Sequence, residues 1–209
     1  MKQSVKNKTS DQLSSKGNAI IKAARKRFAH YGFSKVSMDE IAADVDMGKA
    51  SVYYYFPTKE NLFQAVLIQE QNEFLKEMEM LLNSDNSASE KLIEFVNKRL
   101  AFFQHSLNLG TLGLHTFFDA KSFHKKFFQA FEKQELSLIK RIISEGKAKG
   151  EFDKKLNQNT GLVLLHILQG LRIRTLKLLK SSQEDNESMR VLQSEMNLTI
   201  KIFIKGISN

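Results

Sequence analysis

The 209 residues carry 32 Lys and Arg against 23 Asp and Glu, a formal net charge of +9, and 42% of them are hydrophobic. That hydrophobic share supports a sizeable core and argues against wholesale disorder, while the positive excess favours an anionic partner, nucleic acid or a membrane surface. The absence of cysteine excludes disulfides and thiolate metal sites.

Residues 1–17, "MKQSVKNKTSDQLSSKG", contain no apolar signal core and read as a flexible basic tail. Apolar residues then recur at three and four, which predicts an all-α protein. A first helix is expected over about 18–31, with Ala19, Ile20, Ala23, Ala24, Arg27 and Phe28 as its stripe and Gly32 at its C′ position. Ser37 can cap a short helix over 38–45, with Glu40 placed for a capping box and Ile41, Ala42 and Val45 facing inward. A second short helix follows at about 49–55, and the only proline, Pro57, ends it. Thr58 then caps a long helix over about 59–82, with Asn61 at the box position.

The polar run "NSDNSASE" at 83–90 is a break. Further helices are expected at about 89–106, 110–119, 122–149, 158–180 and 187–206, separated in part by Gly150 and by "KSSQEDNES" at 180–188. The longest apolar stretch, 161–171, is too short to span a bilayer and runs into Arg172 and Arg174, so a soluble cytoplasmic protein without a membrane partner is expected. Residues 1–63 hold 11 Lys and Arg against 6 Asp and Glu, more than half of the whole positive excess in under a third of the length. An anionic partner therefore meets that end.

Two short helices joined by a tight turn behind a longer one match a helix-turn-helix, whose second short helix enters the major groove of double-stranded DNA. Val52 and Phe56 are four apart and can bury against Ile41 and Val45. Lys49, Ala50, Tyr53 and Tyr54 then fall on the neighbouring arc. Lys49 can donate to guanine O6 and N7, Ala50 allows close approach, and Tyr53 offers a ring edge and a hydroxyl. Ser51, Tyr54 and Tyr55 can reach phosphate oxygens, Lys59 can pair with a phosphate, and Ser37 with the helix start behind it suits the opposite phosphate wall.

"SMDEIAADVDMGKASVYYYFPTKENLF" resembles the helix-turn-helix signature of the TetR/AcrR family of bacterial transcriptional regulators, and "ARKRFAHYGFSKVS" resembles that family's first helix and link. Phe28, Gly32, Ser37, Ile41, Ala42, Tyr53, Phe56, Lys59 and Leu62 carry the likeness, with Gly48, Ala50 and Tyr55 as departures. The resemblance implies a three-helix DNA-binding domain over 18–63 and a helical ligand-binding and dimerisation domain over 64–209. It implies a homodimer through 158–180 and 187–206, and the nearly all-round apolar surface at 162–171 agrees with a partner. It also implies a small-molecule effector pocket among the phenylalanine-rich helices of 102–131. Eight flat rings in thirty residues are hard to pack without gaps, so an apolar cavity bounded in part by Phe102, Phe103, Phe117, Phe118 and Phe127 is expected, for an apolar or aromatic effector.

A metal or catalytic reading has little behind it. His115 and Asp119 are four apart, with His105 and His124 near in sequence, which is a weak pattern better read as solvated side chains. HExxH, phosphate-loop, GxGxxG and GxSxG patterns are absent, so no catalytic residue, metal or cofactor is assigned. The expected function is a sequence-specific DNA-binding regulator, a repressor released from its operator by the effector.

Overall fold

The computed structural model describes residues 2–109, 123–178 and 182–209, with side chains described for 15–104, 129–175 and 187–209. These residues form eight α-helices: α1 (Lys2–Tyr31), α2 (Met38–Asp44), α3 (Lys49–Tyr55), α4 (Lys59–Leu82), α5 (Ala88–Leu109), α6 (Phe123–Lys149), α7 (Thr160–Leu178) and α8 (Ser182–Ile207). The one extended pairing among them is an isolated bridge between Phe152 and Ser208. The helix expected at 110–119 lies outside the described residues.

Two elements begin earlier than the sequence pattern suggests. The tail expected at 1–17 is helical from Lys2 and continuous with the rest of α1. Its Lys and Gln residues are good helix formers without an apolar stripe, and periodicity alone does not register such a helix. α8 starts at Ser182 instead of about 187.

The described chain divides into two compact units, Met1–Asn72 with Phe103–Phe117, and Glu73–Phe102 with Phe118–Asn209. In the first, the stripe of α1 buries Ile20, Ala24 and Phe28 with Met38, Ile41 and Ala42 of α2, Val52 of α3, and Leu62, Phe63 and Val66 of α4. Phe28, Phe33 and Phe63 form a triangle of rings with centroids 4.9–5.6 Å apart. Gly32 ends α1 at φ 79°, and its N–H donates to the Phe28 carbonyl at 2.9 Å. That left-handed conformation is why a residue without a Cβ stands there.

In the second unit, Met78, Leu92, Val96, Leu138, Ile139, Ile142, Leu164, Leu165, Leu168, Leu192 and Met196 are buried. Phe74 meets Phe95, Phe102 and Phe131 at centroid distances of 6.3, 5.1 and 5.7 Å. The Glu151 carboxylate accepts from the Ala88 and Ser89 N–H groups at 3.0 and 3.2 Å, capping α5 from 62 residues away or more. Gly146 allows Phe152 to lie on α6, since a Cβ there would stand 2.2 Å from the ring.

Candidate DNA-binding surface

α2 and α3 are set by local chemistry. Ser37 Oγ accepts from the Glu40 N–H at 3.2 Å, and Glu40 Oε2 accepts from the Ser37 N–H at 2.7 Å, completing the expected capping box. The Ser37 N–H bond, with a second from the Ser37 hydroxyl to Oε2 at 2.9 Å, holds the Glu40 carboxyl below its usual range. The turn into α3 places Asp46 at φ 52°, a left-handed conformation that aspartate tolerates better than most residues. Thr58 caps α4, with its Oγ1 accepting from the Asn61 N–H at 3.1 Å.

Burial of Val52 fixes the rotation of α3. Lys49, Ala50, Ser51, Tyr53 and Tyr54 are then all exposed, Tyr54 by 75%. The Tyr54 and Tyr55 rings meet edge to face at 5.5 Å, and Tyr55 is half-buried. The structure therefore brings the expected α3 residues onto one solvent-facing arc, with Tyr55 at its margin.

Two lysines behave differently from one another. Lys49 Nζ pairs with Asp39 at 2.9 Å and lies 5.9 Å from the Tyr53 ring centroid, with both charged side chains about 60% exposed. The Asp39 hydrogen bond and charge raise the Lys49 pKa. Such an exposed pair is screened by water and held weakly, so a phosphate or base can take the carboxylate's place. Lys59 was expected on a phosphate. Its Nζ donates to the Phe33 and Val36 carbonyls at 3.0 and 2.9 Å and lies 4.5 Å over the Phe33 ring. The cation satisfies carbonyls of the turn after α1 and holds the start of α4 to the link.

Arg27 supplies a clamp that the apolar pattern gave no reason to expect. It donates to both Asp44 oxygens at 2.5 and 2.7 Å and lies 3.4 Å from Glu40, tying α1 to α2. The pairing raises the Arg27 pKa and lowers that of Asp44, chiefly through their hydrogen bonds.

Of the residues expected around an effector, Phe102 packs against Phe74 and Phe131, at 5.1 and 5.5 Å, and Phe103 is buried. Phe117 and Phe118, like His115 and Asp119, lie outside the described residues, as does the side chain of Phe127. One turn from Phe102 and Phe131, Arg99 and Glu135 form an ion pair at 2.5 Å, each 4% exposed or less. Burial, with Arg99 beside it, pushes the Arg172 guanidinium down to about 10, while Glu135 and Glu132 oppose the shift. Buried charge in this region went unannounced, because Arg99, Glu135 and Arg172 are far apart in sequence and no helical period joins them. Among the described residues no group of three or more His, Cys, Asp or Glu is placed to hold a metal. None of the described helices is long and apolar enough to cross a membrane.

A short capped helix, a tight turn and a second helix with its polar and aromatic arc exposed define a helix-turn-helix. The family model for bacterial regulatory proteins of the tetR family matches residues 20–66, and that of the YsiA-like protein C-terminal region matches 68–166. The crystal structure of a transcriptional regulator from Cytophaga hutchinsonii ATCC 33406 superposes with a TM-score of 0.85 at 41% identity, over 91% of this chain and 97% of that one. An uncharacterised HTH-type transcriptional regulator, YhgD of Bacillus subtilis, is 26% identical over 162 residues, 71% of this chain and 78% of that protein. The regulator FadR of Bacillus subtilis in complex with stearoyl-CoA shares the fold at a TM-score of 0.60 and 20% identity, over 90% of this chain and 98% of that one. The chain belongs to the TetR family of bacterial transcriptional regulators and is a DNA-binding regulator with a helical C-terminal domain.

Proposed function

We propose that this regulator is a cytoplasmic homodimeric repressor whose α3 reads the major groove of an operator. The exposed arc of Lys49, Ala50, Tyr53 and Tyr54 over a buried Val52 carries that reading. Lys49 exchanges Asp39 for a guanine edge, Tyr53 lies along the bases, and Ser51, Tyr54 and Tyr55 reach phosphates with Ser37 on the far wall. The dimer rests on the apolar side chains that α7 and α8 leave in solvent. Val163, Leu198 and Ile202 are 52, 60 and 62% exposed, a surface that a second copy would cover.

Release follows when a small apolar or aromatic effector among the helices of the C-terminal domain favours an arrangement whose two α3 helices no longer fit successive grooves. The fold's occurrence with stearoyl-CoA in FadR supports a site for a molecule with an apolar tail. A second reading, a constitutive DNA binder, is favoured by the ring contacts that already engage Phe102. Gel-shift titration on a duplex selected from a randomised library separates the two. Stearoyl-CoA and fatty acids of graded length should displace the protein from that duplex at concentrations that leave its helicity unchanged. Unaltered DNA affinity with all of them would establish the constitutive reading over release by apolar effectors.

A further inference from the structure

α2 carries three carboxylates, and two of them are tied to the fold: Glu40 accepts from Ser37 in the capping box, and Asp44 is held by Arg27. The third, Asp39, is bound to α3 instead. Its Oδ1 and Oδ2 lie 2.9 and 3.0 Å from Lys49 Nζ. Both side chains are about 60% exposed, so the pair does little to hold α2 on α3. It also lies in the part of the chain where positive charge is concentrated, on the arc proposed to meet DNA. A carboxylate there repels phosphates. The groups of the duplex that favour it are the amino donors of the major groove, cytosine N4 and adenine N6.

The spacing within the pair narrows the choice. Guanine O6 and cytosine N4 of one base pair are joined by a hydrogen bond, so an acceptor and a donor stand about 2.9 Å apart on the groove edge. Lys49 and Asp39 present a donor and an acceptor at the same separation. Thymine O4 and adenine N6 repeat that spacing, but beside O4 the ammonium meets the thymine methyl. Beside guanine O6 it meets a second acceptor, N7. When Lys49 turns from Asp39 to guanine, the carboxylate that it leaves stands beside the cytosine of the same pair.

We propose that Asp39 is a base-reading residue which, with Lys49, recognises one G·C pair: Lys49 donates to guanine O6 and N7, and Asp39 accepts from cytosine N4–H. The inference rests on the reading of α3 as the major-groove helix and extends base recognition to α2. Two observations carry it: the donor–acceptor spacing of the pair, and the exposure of a carboxylate on a surface of positive excess.

The test uses the full chain, Lys49→Ala and Asp39→Ala on duplexes carrying the site that the full chain selects from a randomised library. Lys49→Ala first locates the base pair whose discrimination depends on Lys49. The proposal expects a G·C pair there, and expects Asp39→Ala to lose about tenfold in discrimination at that same pair while other positions keep theirs. A second duplex replaces the cytosine by N4-methylcytosine, which still pairs with guanine but turns a methyl group into the groove in place of the proton. The full chain should bind this duplex about tenfold more weakly, and Asp39→Ala should bind both duplexes alike. A pair other than G·C at the position, full discrimination in Asp39→Ala, or equal binding of the full chain to the two cytosines would each overturn the proposal. Equal binding together with lost discrimination in Asp39→Ala would mean that the carboxylate only aims Lys49. A Lys49→Ala variant that keeps its discrimination at every position would instead sink the reading of α3 on which the inference rests.

Discussion

The helix-turn-helix and the α5–α6 region place their ion pairs in opposite settings. Around α2 and α3 the pairs lie near water: Lys49 and Asp39 are each about 60% exposed, and Asp44 is 36% exposed beside Arg27. Between α5 and α6 the pairs are inside. Arg99 and Glu135 are 4 and 3% exposed, and Lys91 is 2% exposed where it meets Glu145 and the Leu82 carbonyl. An exposed pair can exchange partners at little cost, which suits a surface that must release one anion to hold another. A buried pair cannot, because removing either group strands a charge in a medium that solvates it poorly. The first arrangement suits the DNA recognition proposed for α3, and the second ties α5 to α6.

The largest effect should come from breaking a buried pair. Glu135→Leu removes the carboxylate that Arg99 holds and should lower unfolding stability by about 3–5 kcal/mol in urea titration. Adding Arg99→Met should recover most of that loss. A double variant as unstable as the single one would mean the site depends on charge for more than this pair.

Next in size are two backbone-level contacts. Gly146→Ala would press a Cβ into the Phe152 ring and should cost about 1–3 kcal/mol of unfolding free energy. Lys59→Met leaves the Phe33 and Val36 carbonyls without their donor and should cost about 1–3 kcal/mol. If Lys59→Met instead preserved the unfolding midpoint, the carbonyl contacts would add no stability, and a flatter salt dependence of DNA binding would establish the phosphate role expected from sequence.

A smaller effect appears in acid. Hydrogen bonds from Lys149 and then Lys91 lower the Glu145 pKa below its ordinary 4.5. The unfolded chain then binds more protons than the folded one just below that value, so stability must fall as pH drops. The contribution is complete above about 4.5 and disappears as pH passes through the lowered pKa. Glu145→Gln should flatten that part of the stability–pH curve, measurable by thermal unfolding at stepped pH.

The same contrast explains what could be read in advance. The capping box at Ser37 and Glu40, the end of α1 at Gly32 and the rotation of α3 on Val52 are local events within a few residues, so spacing and residue type disclosed them. The all-α class followed from apolar periodicity in the same way. Arg99–Glu135 and Lys91–Glu145 join residues 36 and 54 apart, and Glu151 caps α5 across 62 residues or more. Such partners are chosen by tertiary packing, which no spacing within a helix encodes. The carbonyl contacts of Lys59 were illegible for a related reason: backbone partners leave no mark in the amino-acid pattern. The arc of α3 was legible because burying one face of a seven-residue helix dictates what the other presents.

The central claim, that this arc reads DNA bases, is tested most directly by Lys49→Ala. The variant should be measured against a panel of duplexes carrying every single-base substitution of the selected site, with urea unfolding in parallel. The account predicts an unfolding free energy indistinguishable from the parent's, because the Asp39 pair is exposed. It also predicts a loss of about 1–3 kcal/mol of discrimination at one position in each half-site. An equal loss of affinity on every duplex in the panel, with discrimination intact at all positions, would contradict it.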